Sequence, residues 1–138
     1  MLHLEGPLLT IDVGSRRVET ESVDGVLESF VGGRGVATRL AHERIPFDAD
    51  PLGPENRLYL TTGPMQASSM SFTGRASATA VSPLTDGLLS ANAGGVLSPH
   101  PPRTRNAALA LVRASAAFPH VPRPADGAPF AAGPGPSR

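Results

Sequence analysis

The sequence predicts an α+β fold, a strand-rich mixed domain with two short helices, followed by a disordered Pro-, Ala- and Arg-rich tail. Three observations carry this. Up to residue 98 the apolar residues recur in short runs at strand or helix spacing, separated by Gly and Pro. Leu, Ile, Val and Phe together number only 32 of 138 residues, against 30 Gly plus Pro, which rules out a helical bundle. At residue 98 the charge and the composition both break: residues 1–98 carry 7 Arg against 11 acidic residues, whereas 99–138 carry 5 Arg against Asp126 alone and hold 9 of the 15 prolines.

The N-terminal elements come first. Residues 8–13 (LLTIDV) and 16–23 (RRVETESV) are two β-prone runs joined through Gly14-Ser15, and Val18, Thr20 and Ser22 alternate with the charged Arg17, Glu19 and Glu21, which predicts an N-terminal hairpin. Val26, Leu27, Phe30 and Val31 stand at helical spacing; Gly32-Gly33 breaks that pattern, and Val36, Ala37, Leu40 and Ala41 resume it through His42. Two short helices therefore flank a Gly-Gly-Arg-Gly elbow. Pro46 closes the second, and residues 48–56 (DADPLGPEN) form a surface connection whose prolines exclude a central strand. Three further strands are predicted at 57–62 (RLYLTT), 72–81 (FTGRASATAV) and 87–92 (GLLSAN). Within the tail, residues 105–118 (RNAALALVRASAAF) combine Ala, Leu and Arg into a predicted short helix.

Several chemistries are excluded or unsupported. The chain has no Cys, so it carries no disulfide, Cys-ligated zinc site or thiolate-held cluster of its own. It has no Lys, which excludes a P-loop, and Gly33-Arg34-Gly35-Val36-Ala37-Thr38 lacks the third Gly and the preceding strand of a dinucleotide fingerprint. His3, His42, His100 and His120 are too dispersed for a local metal site, and Ser68, Ser69, Ser71 and Ser82 have no His-acid partners nearby. Asp48, Asp50 and Glu55 read as turn residues rather than paired catalytic carboxylates. The longest apolar run, residues 107–112, has six residues, far below the roughly 18 that span a bilayer. No membrane role and no nucleic-acid binding are expected, and the N-terminus lacks the layout of a secretory signal, so a cytoplasmic location is expected.

Three segments place small residues beside a cationic or polar side chain: Gly32-Gly33-Arg34-Gly35, Thr73-Gly74-Arg75 and Asn92-Ala93-Gly94-Gly95. Glycine permits close backbone approach and Arg grips phosphate through a planar fork, so together they point to a phosphate-bearing ligand. Taken singly, Gly-Gly after a helix is more often a C-cap, and a lone strand Arg is more often a solvated edge residue.

Read in order, VGGRGVATRL (31–40), DPLGPENRLYLTTGP (50–64) and TGRASATAVSPLTDGLLSANAGG (73–95) resemble the N-terminal domain of the aldehyde ferredoxin oxidoreductase family, a resemblance covering about residues 8–97. It implies a strand-rich base beneath a bis-pyranopterin cofactor of tungsten or molybdenum, with magnesium joining the pterin phosphates. By the same resemblance Arg75, Asn92, Ala93, Gly94 and Gly95 match cofactor-contact positions, with Asn92 near the magnesium through its main-chain carbonyl. The implied reaction oxidises an aldehyde with water to a carboxylic acid and passes electrons through a [4Fe-4S] cluster to ferredoxin, commonly in a homodimer. The cluster is not bindable by this chain, and the family's catalytic residues belong to later domains. No catalytic residue is therefore assigned, and the isolated chain is expected to be inactive.

On this reading residues 1–98 are a partial cofactor-binding domain and 99–138 a low-complexity tail. The family's Ala-Gly-Tyr-Asp-type continuation does not appear after Gly95, and an Ala-, Pro- and Arg-rich stretch replaces it, as a shifted GC-rich reading frame would give. Two alternatives stand beside it. One is a non-enzymatic interaction protein using P-x-x-P spacing at Pro119 and Pro122; the other is a truncated product without function.

Overall fold

The computed structural model describes residues 7–67, 74–94 and 108–112. These form six strands and two helices: β1 (Pro7–Asp12), β2 (Arg17–Ser22), α1 (Asp24–Phe30), α2 (Gly33–Arg44), β3 (Arg57–Thr62), β4 (Arg75–Val81), β5 (Leu88–Gly94) and β6 (Ala108–Val112), with a single 3-10 turn at Pro64–Ala67. All six strands belong to one mixed sheet in the order β2-β1-β6-β3-β4-β5. The expected α+β architecture is therefore present.

The segment read as an unfolded tail contributes a central strand. β6 runs parallel to β1, with Leu9 against Leu109, and antiparallel to β3, with Tyr59 against Ala110. The predicted helix over 105–118 is thus corrected for residues 108–112, which are strand; the rest of that span lies outside the described residues. Ala and Leu favour helix in isolation, but a five-residue apolar run inserted between two open strands completes two ladders at once, and that pairing outweighs the weak local propensity. Without β6 the β1–β2 hairpin would have no ladder to β3.

Both helices pack on one face of the sheet. Leu8, Val23, Leu27, Val36, Ala37, Leu40, Ala41, Tyr59 and Ala110 form its core. Alternation along each strand selects these residues, because Tyr59 and Thr61 on β3 and Thr79 on β4 face the helices and are fully or almost fully buried. The Tyr59 hydroxyl donates to the carbonyl of Leu40 at 3.5 Å, and Ala110 beside it is small enough to leave the ring its space. Burial pushes the Tyr59 phenol above its ordinary value, partly opposed by the positive charges of Arg57 and Arg44.

Two connections fix where β3, β4 and β5 begin and end. The surface connection before β3 is anchored by Asn56, whose Nδ2 donates to the carbonyls of Pro51 at 2.6 Å and Val81 at 3.0 Å. Its Oδ1 accepts from the amides of Arg57 at 2.9 Å and Val81 at 3.1 Å. The carboxamide therefore engages both main-chain groups of Val81, as a strand residue would. Between β4 and β5 the amide of Ser82 donates to the carbonyl of Gly87 at 2.9 Å, and the amide of Asp86 to the carbonyl of Ser82 at 2.9 Å. Asp86 adopts φ 51, a left-handed conformation that Asp tolerates better than most residues.

Candidate functional site

The geometry of the β4–β5 hairpin is fixed by its register. Arg75 lies opposite Gly94, Ala76 opposite Ala93, Ser77 opposite Asn92 and Thr79 opposite Ser90. Residues directly opposite share a face, so Arg75, Ser77, Thr79, Ser90, Asn92 and Gly94 all lie on the helix side, and Ala76 and Ala93 on the other. The hairpin's first rung is the bond from the Ser82 amide to Gly87. In an antiparallel ladder hydrogen-bonded and non-hydrogen-bonded pairs alternate, which makes Ser77–Asn92 and Arg75–Gly94 pairs of the second kind. β5 is an edge strand of the described sheet. The main-chain N–H and C=O of Asn92 and Gly94 therefore face outward, away from β4, while those of Ala91 and Ala93 hold the ladder.

Side chains complete this end of the sheet. Asn92 is exposed, and its Oδ1 accepts a hydrogen bond from the Ser77 hydroxyl at 2.9 Å. Arg75 is exposed at the start of β4, and no carboxylate among the described residues pairs with its guanidinium. Gly94 meets nothing within 4 Å of the position a Cβ would take. One step further along the same row the hydroxyls of Thr79 and Ser90 are buried with no hydrogen-bond partner among the described residues.

The N-terminus of α2 lies at the same end. The Thr61 hydroxyl donates to the carbonyl of Gly33 at 2.9 Å, and a Cβ on Gly32 would stand 3.0 Å from Pro64 Cδ and 3.3 Å from the Thr62 carbonyl oxygen. Thr62, at the end of β3, pairs with Ala76, the neighbour of Arg75. The first turn of α2 holds Arg34 and no acidic residue, so the positive end of the helix dipole is uncompensated. The Gly-Gly elbow thus brings a helix terminus down onto the strand end next to Arg75.

The structure therefore brings Arg75, Asn92, Ala93 and Gly94 to one end of one hairpin; Gly95 lies outside the described residues. Ala93 departs from the other three in presenting its side chain to the opposite face. Sequence reasoning missed Ser77 and Asn56: Ser77 because its partner is 15 residues away, Asn56 because a turn asparagine gives no sign of a bond to Val81. His42 is exposed on α2; His3, His100, His120, Ser68, Ser69 and Ser71 lie outside the described residues. Among the described residues no group of three or more His, Cys, Asp and Glu side chains is arranged to hold a metal, and no helix is long and apolar enough to cross a membrane. A separate open groove of about 490 Å³ lies between α1 and α2, lined by Val26, Ser29, Phe30, Arg39 and Glu43, and contains none of the predicted residues.

Known proteins are similar to this chain in sequence and in fold. The tungsten-containing aldehyde ferredoxin oxidoreductases of Thermococcus kodakarensis and Pyrococcus furiosus are 34% and 32% identical over 91 residues, 65% of this chain. The chain spans 15% of the length of each. A WOR-like subunit of an aliphatic sulfonate oxidoreductase from Pyrococcus furiosus is 38% identical over 69 residues, 47% of this chain and 11% of its own. In fold the chain is similar to the BamBC active-site complex of benzoyl coenzyme A reductase, at a TM-score of 0.77 and 23% identity, covering 83% of this chain and 18% of that one. The model of the aldehyde ferredoxin oxidoreductase N-terminal domain matches residues 8–117, past the composition break at 98 and through β6. With that match over most of its length, the chain belongs to the aldehyde ferredoxin oxidoreductase family.

Proposed function

We propose that this chain supplies the phosphate-facing part of the base beneath a bis-pyranopterin cofactor of tungsten or molybdenum. The whole protein, on this reading, oxidises aldehydes to carboxylic acids and passes the electrons through a [4Fe-4S] cluster to ferredoxin. The observation that carries the reading is the register that sets Arg75 against Gly94 and Ser77 against Asn92 at the end of the sheet where α2 begins. The residues fit such a group. Arg75 offers a phosphate a guanidinium fork that no carboxylate among the described residues engages, and the Gly94 position has open space where a side chain would otherwise stand. The Asn92 carbonyl, directed off the sheet edge, is a hard oxygen donor of the kind magnesium takes. Ala93 keeps the strand in the ladder between these two positions.

When bound, the metal and its pterins supply the redox chemistry. The chain's own residues bind and orient: Arg75 neutralises phosphate charge, Gly94 and Gly95 permit close approach, and the N-terminus of α2 adds a positive field over the same end. The chain has no cysteine, so the cluster would be held by residues beyond it.

Calorimetric titration of the 138-residue chain with magnesium pyrophosphate tests the reading, with amide chemical shifts monitored in parallel. The wild type should bind with shifts concentrated at residues 74–76 and 90–94, and Arg75→Ala should weaken binding about tenfold or more, as expected for a hydrogen bond to a charged group. Equal binding by both, or shifts confined to the α1–α2 groove, would overturn it.

A further inference from the structure

We propose that Ser77 is a positioning residue for Asn92, selecting which oxygen of that residue faces a divalent cation; the proposal rests on the cofactor-binding role assigned to this hairpin. Asn92 has two oxygens available to a cation, the carboxamide Oδ1 and the main-chain carbonyl, and they point differently. The side chain lies on the helix-side face, whereas the carbonyl is directed off the edge of β5 that pairs with no strand among the described residues. Ser77 is 8% exposed, and its hydroxyl donates to Oδ1 at 2.9 Å. That bond occupies one lone pair of the carboxamide oxygen and fixes the rotamer of an otherwise exposed side chain. The main-chain carbonyl is left as the oxygen free to meet the ion.

The bond is not an automatic consequence of strand pairing. Thr79 and Ser90 occupy the equivalent opposed positions one step along the same row, and their hydroxyls make no bond among the described residues. Ser77–Asn92 also falls at a pair with no main-chain hydrogen bonds, where opposed side chains approach most closely. Here the side-chain bond ties the edge strand to β4 between the rungs at Ala91 and Ala93, and so holds the Asn92 carbonyl at a constant distance from Arg75. Ser77 touches neither cation nor phosphate in this arrangement; it acts through Asn92.

The test uses the 138-residue chain, Mn2+ as the paramagnetic probe and inorganic pyrophosphate as the anion. In the wild type the broadening should centre on the amide of Ala93, next in the chain to the Asn92 carbonyl. In Ser77→Ala the Mn2+ affinity should fall about fivefold, the equivalent of one neutral hydrogen bond, and the broadening should spread to the Asn92 side-chain amide. Ser77→Thr keeps the hydroxyl and should restore both readouts, which a purely structural role would not require. A Ser77→Ala chain with wild-type affinity and with broadening still centred on Ala93 would overturn the role of Ser77 and leave the cofactor-binding role standing. No broadening at residues 90–94 of the wild type would overturn both.

Discussion

Replacing Gly32 by Ala should be among the most damaging single-methyl changes in this protein. Gly32 adopts φ 142 and ψ −173, a region open in practice only to glycine, and forcing Ala into it costs about 1–3 kcal/mol. The added Cβ would also stand 3.0 Å from Pro64 Cδ and 3.3 Å from the Thr62 carbonyl oxygen, and neither neighbour is the far end of a flexible side chain. Relief requires moving the start of α2 off the end of β3, an overpacking cost of about 1–3 kcal/mol. The sum is about 2–6 kcal/mol, a large share of the stability of a small domain. With a urea slope of ~2 kcal/mol/M, Gly32→Ala should lower the unfolding midpoint by about 1–3 M. Gly25 provides the control, because it is exposed in α1 and its Cβ position meets nothing within 4 Å. Gly25→Ala should raise stability by about 0.5–1 kcal/mol through helix propensity. A Gly32→Ala midpoint indistinguishable from wild type, or equal losses in both variants, would refute the argument that the conformation and contacts at Gly32 set the approach of α2.

Asn56→Ala should cost about 2–4 kcal/mol in a denaturant titration, because it strips partners from the amide and carbonyl of Val81 and from the carbonyl of Pro51. Thr79→Val should be neutral or stabilising by up to about 1 kcal/mol, since it replaces a fully buried hydroxyl that has no partner among the described residues; a clear loss would show that the hydroxyl is satisfied in solution. Tyr59 is the single tyrosine and the chain has no Trp, so tyrosinate absorbance reports this residue alone. Its phenol is raised in the folded state, so the neutral form is favoured there: this contribution to stability is complete below the unfolded-state value near 10 and is lost as pH rises through the folded-state value. The folded chain should therefore titrate above the denatured chain, and Tyr59→Phe should flatten the alkaline fall in stability.

The parts legible in the sequence were those written in local pattern. β3 falls on Arg57–Thr62 as its β-branched and aromatic run predicts, and Gly32-Gly33 separates two helices because no other residue readily accepts the backbone conformation needed there. Arg75 and Asn92 were legible as chemistry through adjacent glycines and through resemblance, and their juxtaposition arises from a hairpin whose turn residues, 83–86, suit their positions. What stayed hidden was non-local. The run ALALV is as good a helix as a strand, and only the gap between β1 and β3 decides it. Ser77 and Asn56 act on partners 15 and 25 residues away through side-chain bonds that leave no periodicity behind.

The candidate site consequently depends on two levels of structure with different vulnerabilities. The pairing of Arg75 with Gly94 and of Ser77 with Asn92 is set within one hairpin, so it survives any change that leaves β4, β5 and their turn intact. The placing of the α2 terminus beside that hairpin is not local: it runs through the Thr61 hydroxyl of β3, which donates to the Gly33 carbonyl, and through the close approach of Gly32 to Thr62 and Pro64. Thr61→Val, which removes that bond, would therefore loosen the helix terminus from the strand end while the arginine and the outward carbonyl kept their register. Anion binding that depends on the helix field would weaken, and cation binding at Asn92 would persist, which separates the two contributions without touching either group.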